Sequence, residues 1–283
     1  MTVSAENIRE NRKQKALFLT ASILLTLLYL PVLHNLAKQW LNDPNYRHGL
    51  LIPVVLIFLI RKKRDTIKEK SPYRSSPGTA SLLLALASVL LIGGTAASEL
   101  FTSRLSLALF IMGAVILLAG PGLVKILAAE SVLMFLMIPL PYIIYYRLTF
   151  PLQLLSARLS ALILKGLQLS VIRKGNIIIL PKYTLEVVAA CSGLRSLLTM
   201  VTLGVIMAAA SSYSAGRKIL LVACSVPVAV AANTFRLVVT ALGAQLAGPA
   251  FADGVLHQIS GLMVFGSGLI MLLIINWMLK WEK

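Results

Sequence analysis

Cys191, Arg236 and His257 lie in three separate stretches of the second half of the chain, and their side chains suit acyl transfer. A cysteine thiolate attacks a peptide carbonyl. An imidazole moves protons to the leaving amine and from the incoming nucleophile, and a guanidinium stabilises the oxyanion that forms in between. The thioester produced survives long enough for an amine to compete with water, so transfer is open to such a site as well as hydrolysis.

Each residue also has a plainer reading. Cys191 stands in Ala190-Cys191-Ser192-Gly193-Leu194-Arg195. Ser192 can cap a following helix, and a thiol at a helix N-terminus sees free amides and a positive dipole that favour the thiolate. Arg195, four residues on, adds positive charge on the same face; the competing reading is a small residue packed beside an interface. Cys224 sits among Leu221, Val222, Ala223 and Val226 with no charge nearby and reads as packing, and two cysteines make no disulfide framework. Arg236 shares a helical face with Asn233 three residues earlier, which favours a cavity over simple snorkelling to headgroups. His257, in Asp253-Gly254-Val255-Leu256-His257, and His48, in Asn45-Tyr46-Arg47-His48-Gly49, each precede an apolar stretch. Alone, His257 would more often be an interfacial histidine than a catalyst. Zinc bound by Cys191, His48 and His257 with Asp43 or Asp253 is a competing chemistry, but no pair shows the usual ligand spacing. No metal or other cofactor is expected.

These residues need a membrane to position them. The chain has 283 residues, of which 58% are hydrophobic and 13% charged, with a mean hydropathy of +0.86. Soluble domains run near ~45–50% apolar and ~25% charged, so a soluble globule, a disordered chain and a fibrous repeat are excluded. The net charge of +17 forms no single patch. It falls in short clusters between apolar runs, which indicates positive-inside topology and not a nucleic-acid partner.

Apolar stretches long enough to cross ~30 Å of hydrocarbon are Ala16–Leu36, Gly78–Ser98, Leu105–Val124, Ile126–Tyr146, Ser196–Ala215, Ile219–Leu242 and Gln258–Leu279. The first lacks a small-residue cleavage site and reads as an anchor. A short eighth runs from His48 to Ile60. Eight crossings with the basic amino terminus (1–15) inside put 16 of the 27 basic residues on the cytoplasmic face, including the loop 61–77. Six of the other 11 lie between Arg147 and Lys182, in a segment (147–192) expected at the outer surface. There Pro151–Ile172 reads as an amphipathic helix in the interface, with Gln153, Ser156, Ser160 and Lys165 on its polar face. Asn176–Leu180 and Tyr183–Val188 read as a small hairpin. If Pro151–Ile172 crossed instead, all later assignments would invert. The expected fold is an all-α polytopic membrane protein, one membrane domain over 1–283, with about eight transmembrane helices and with the amphipathic helix and β-hairpin before the sixth crossing. Cys191, Arg195, Asn233, Arg236, His257 and His48 are then expected on one face.

Ala189-Ala-Cys-Ser-Gly-Leu-Arg-Ser196, Asn233-Thr-Phe-Arg236, and His257 with Ser260-Gly261 resemble the three signature blocks of the exosortases. Asn45-Tyr46-Arg47-His48-Gly49, followed by Leu51-Ile52-Pro53 and Arg61–Arg64, resembles that family's amino-terminal block. The resemblance implies an inner-membrane cysteine transpeptidase of bacteria, its active site facing the periplasm. Cys191 would be the nucleophile, Arg236 the stabilising cation and His257 the acid/base, with Arg195, Asn233 and His48 supporting. It implies membrane-anchored protein substrates ending in a PEP-CTERM-type signal: a short proline-containing motif, a transmembrane helix and a basic tail. The setting would be exopolysaccharide and biofilm production, with an acceptor that the resemblance does not specify. A non-catalytic polysaccharide assembly or export component, and hydrolysis without transfer, remain alternative readings of the same residues.

Overall fold

A computed structural model describes residues 24–70, 75–187, 194–248 and 257–281. In chain order the elements are helix α1 (24–42), a 3-10 turn (Arg47–Leu50), α2 (Ile52–Lys62), α3 (Arg64–Lys70), α4 (Pro77–Ala96), α5 (Leu100–Ala119), α6 (Pro121–Ile126), α7 (Ala128–Leu136) and α8 (Tyr142–Gly166). Strands β1 (Ile172–Lys174), β2 (Ile177–Ile179) and β3 (Thr184–Glu186) follow, then α9 (Leu194–Ala210), α10 (Ala215–Ala247) and α11 (His257–Trp281).

Among the described residues, α4, α5, α8, α10 and most of α11 are long and apolar enough to cross a membrane. α9 has 17 residues and α2 only 11, so the expected count of eight does not follow from helix length alone. Large apolar side chains such as Leu82, Val89, Ile219, Leu246, Leu262 and Ile270 face outward, while Ser103, Ser106, Glu130, Ser156 and Asn233 are buried. A surface this apolar around a partly polar interior suits lipid and would aggregate in water.

The chain divides into two compact units. In the first, α4 and α5 form a helical hairpin. Glu99 turns the corner: its carboxylate accepts from the backbone N–H of Phe101 (3.1 Å) and Thr102 (2.6 Å), capping α5. This cap starts α5 five residues before the expected Leu105. A Cβ on Gly94 would come within 2.7 Å of the Ser103 backbone nitrogen, so this close approach requires glycine. α1 lays Tyr29 and Val32 against Leu91 and Leu107, and Trp40 closes over Gly49 of the 3-10 turn.

The second unit holds α2, α3, α7 to α11 and the sheet. Its two ends differ in chemistry. At one end the Lys63 ammonium sits 2.7 Å from Glu130 Oε1, an ion-pair contact off the hydrogen-bond axis, and donates to Oε2 at 2.9 Å and to the Ile126 carbonyl at 3.3 Å. Lys62 caps the last carbonyl of α9, that of Ala210, at 2.9 Å. Ala208 of α9, Leu221 of α10 and Leu279 of α11 pack together there. The Arg61–Arg64 cluster, the start of α7, the Arg217/Lys218 turn and the end of α11 therefore share this basic end, as the positive-inside pattern requires.

At the other end the sheet, ordered β1-β2-β3 and antiparallel, pairs Arg173 with Ile178 and Ile178 with Leu185. The expected hairpin is its β2-β3 pair, and β1 adds a third strand. Gly175, at φ +61°, makes the two-residue β1–β2 turn that an L side chain would strain. Ile178, Leu185 and Val187 bury against Ala157, Ala161 and Leu164 of α8 and Leu237, Val238 and Ala241 of α10.

The structure departs from the expected elements at two places. Ile126–Tyr146 is not one crossing, because Pro139 and Pro141 cannot continue a helix and the chain breaks between α7 and α8. Nor does the next helix start at Pro151; α8 begins at Tyr142 and carries Pro151 within it. Its facing is also opposite to the expected one, apart from Lys165, which is exposed as expected. Gln153, Ser156 and Ser160 are buried, whereas Leu155 and Leu162 are exposed, because the medium around this helix is less polar than the protein. Since α7 starts at the basic end and α8 finishes beside the end of α10, the pair makes one broken passage, and α10 still starts at the basic end.

Glu130 is 3% exposed, and the Lys63 ammonium is the cation in contact with it. Lys63→Ala should destabilise the protein by about 3–5 kcal/mol, because it strands a buried carboxylate, while the double variant Lys63→Met/Glu130→Leu should recover most of that. Thermal inactivation in detergent checks both.

Candidate active site

The buried face of α8 meets the middle of α10 in a polar seam. Asn233 is 1% exposed and Ser156 2%. The Asn233 carboxamide donates to Ser156 Oγ at 3.0 Å, and its oxygen accepts from Arg236 Nη2 at 2.8 Å. Asn233 and Arg236 are three residues apart, so a continuous helix puts them on one face. Both functions of the carboxamide are used, which fixes its orientation and holds one edge of the guanidinium. One turn further along α8, the buried Ser160 hydroxyl has no hydrogen-bond partner among the described residues, and neither does Thr234 beside Asn233. The seam thus keeps polar capacity in an otherwise apolar contact.

Arg236 is 21 residues beyond Ala215, about 32 Å along α10 from the basic end. Its neighbour Leu237 packs on the sheet. α9 and α11 both finish at the basic end, so their first residues, Leu194 and His257, lie toward the opposite end with Arg236. Arg195 is the second residue of α9, with an exposed side chain. Cys191 and the side chain of His257 lie outside the described residues. The chain on either side of Cys191 is anchored. Val187 donates its N–H to the Asn176 carbonyl at 3.0 Å and accepts from the Asn176 carboxamide at 3.2 Å, and Leu194 opens α9 at 1% exposure. Cys224 is half-buried in α10, nine residues before Asn233, about 14 Å toward the basic end. His48 belongs to the first unit, on the 3-10 turn, its ring centroid 6.3 Å from that of Tyr46.

Of the residues expected to act together, the structure joins Asn233 to Arg236 and adds Ser156. The signal for Ser156 was in the sequence: Gln153, Ser156 and Ser160 recur at i, i+3 and i+7, a stripe that reads as a wet face only if the helix borders water. Among the described residues no three His, Cys, Asp or Glu side chains gather as metal ligands; the zinc alternative rests on Cys191 and His257, which fall outside them.

The held guanidinium of Arg236 and the first residues of α9 and α11 thus lie toward the same end of the second unit. No curated protein and no solved structure matches the chain. The family model described as transmembrane exosortase matches residues 40–274, most of the chain and all four of the sequence blocks set out above. The chain belongs to the transmembrane exosortase family.

Proposed function

We propose that this protein is a cysteine transpeptidase of the bacterial inner membrane that cleaves a carboxy-terminal, PEP-CTERM-type sorting signal at the periplasmic surface and passes the acyl group to an amine. The Cys191 thiolate attacks the scissile carbonyl, the C–N bond breaks, and the leaving amine takes its proton from His257. An acceptor amine then gives a proton to His257 and displaces the thiolate from the thioester. Arg236 balances the oxyanion in both steps.

The observation that carries this reading is the Ser156–Asn233–Arg236 chain of hydrogen bonds. A guanidinium half-buried among apolar helices is costly, and holding it with a buried amide supports a task at that spot. The flanks support it further. Cys191 follows Val187 by four residues, a reach of at most about 14 Å, and Val187 shares a cluster with Leu237, next to Arg236. A substrate helix with a basic tail would enter with its tail at the basic end, and its cleavage motif would then lie at the sheet end.

The test is reconstitution of the full chain in proteoliposomes with a protein bearing such a signal, and mass spectrometry of the products with and without a primary amine. The expected product is an amide whose yield rises with amine concentration. A free carboxylate at every amine concentration would reduce the activity to hydrolysis. Intact substrate throughout would remove the enzyme reading in favour of a non-catalytic polysaccharide assembly or export component.

A further inference from the structure

The first unit contains a second buried arginine that the proposed reaction does not use. Arg104 is 3% exposed and is the fifth residue of α5, about 6 Å from the helix start, which is headgroup depth for a spanning helix. Nη1 donates to Gln39 Oε1 at 2.6 Å and Nη2 to the Asn35 carbonyl at 3.4 Å, both neutral acceptors. Its Nε is buried and has no hydrogen-bond partner among the described residues. The carboxylate that contributes to its electrostatics is Glu99, which is engaged with the amides of Phe101 and Thr102 and makes no ion pair with Arg104 among the described residues. A buried cation in a membrane helix calls for a counter-charge.

Arg104 lines a cavity of about 230 Å³ within the same unit, shared with Ser98, Thr95 and Asn35 and bordered by Val32 and Leu100. Asn35 is exposed. Ser98 holds φ +54°, a conformation that side chains rarely adopt, in the turn between α4 and α5. Guanidinium edges suit oxyanions in a way that a point charge does not, and hydroxyl and carboxamide donors beside one complete an anion site. The space exceeds what a bare phosphate fills and leaves room for the start of its ester.

We propose that this cavity binds a phosphate group, held by the Arg104 guanidinium with Ser98 and Asn35 as further donors, and that the phosphate is the headgroup of an anionic phospholipid. The apolar border and the headgroup depth favour the lipid over the free ion as source.

The test is native mass spectrometry of the full chain, delipidated in mild detergent and then offered phosphatidylglycerol, diacylglycerol with the same acyl chains, or inorganic phosphate. Retention of phosphatidylglycerol but not diacylglycerol is expected. Arg104→Gln should lower it at least tenfold, Ser98→Gly severalfold, and the exposed Arg147→Gln not at all. Binding of inorganic phosphate without phosphatidylglycerol would keep the phosphate site and overturn the lipid source. Equal retention of phosphatidylglycerol and diacylglycerol, no binding of either phosphate compound, or equal losses in Arg104→Gln and Arg147→Gln would overturn the site. Ser98→Gly relieves backbone strain while removing the hydroxyl, so it folds and decides the matter should Arg104→Gln fail to.

Discussion

Cys191→Ala should leave a sorting-signal protein at full length in the membrane, with turnover lowered at least about a thousandfold, whereas Cys224→Ala should process it within about twofold of the parent. The asymmetry follows from position. Cys224 lies in α10 about 14 Å from Asn233 toward the basic end, half-buried, and its loss removes one small apolar group. Cys191 stands between the pinned Val187 and the buried start of α9, and without its sulfur no thioester forms. Cys191→Ser keeps the volume and a nucleophilic atom but replaces a thiol with an alcohol of much higher pKa, so it should be nearly as impaired as the alanine variant. Immunoblotting of membranes measures the uncleaved fraction. The variants should insert normally and melt with the parent, because each alanine change removes a single sulfur atom. Normal processing by Cys191→Ala would end the transpeptidase reading.

How much of this was legible in the sequence depends on which kind of information each feature needs. Lys and Arg clusters at 61–64 and 217–218 predicted one shared face, and the Lys63–Glu130 and Lys62–Ala210 contacts gather them there. β-branched runs around Pro181-Lys182 predicted strands, and β2 and β3 form there. Asn233 and Arg236 were paired by helical spacing alone, which a continuous helix guarantees. The reading of α8 failed because a period of 3.6 tells which residues share a face and not which face is wet. In lipid the polar stripe turns inward, so Ser156 meets Asn233 and Leu155 meets the bilayer. Ile126–Tyr146 failed because hydropathy ignores the missing N–H groups of Pro139 and Pro141. Glu130 attracted no notice because its partner lies 67 residues away, and no local pattern records a contact at that range.

Arg236→Ala should lower kcat by about a thousandfold while leaving substrate association nearly unchanged, since an oxyanion donor is worth roughly 10²–10³ and this one carries a full charge. Arg236→Lys is the sharper variant. It keeps the positive charge but loses the planar fork whose Nη2 donates to Asn233, so its ammonium is neither oriented nor spread over two donors. It should recover only part of the loss, remaining about tenfold to a hundredfold below the parent. Asn233→Asp makes the complementary test: it turns the neutral acceptor into a carboxylate 2.8 Å from the guanidinium, and the ion pair so formed would spend the charge that the oxyanion needs. Asn233→Ala should cost less than Arg236→Ala, because it loosens the guanidinium without removing it. If Asn233 acts through Arg236, the double variant Asn233→Ala/Arg236→Ala should be no slower than Arg236→Ala alone, a coupling nearly equal to the whole Asn233 effect. Losses that simply multiply would show Asn233 acting apart from Arg236, through Ser156 and the packing of α8. Steady-state rates on one sorting-signal substrate, with each variant's melting temperature as the control for folding, distinguish the two.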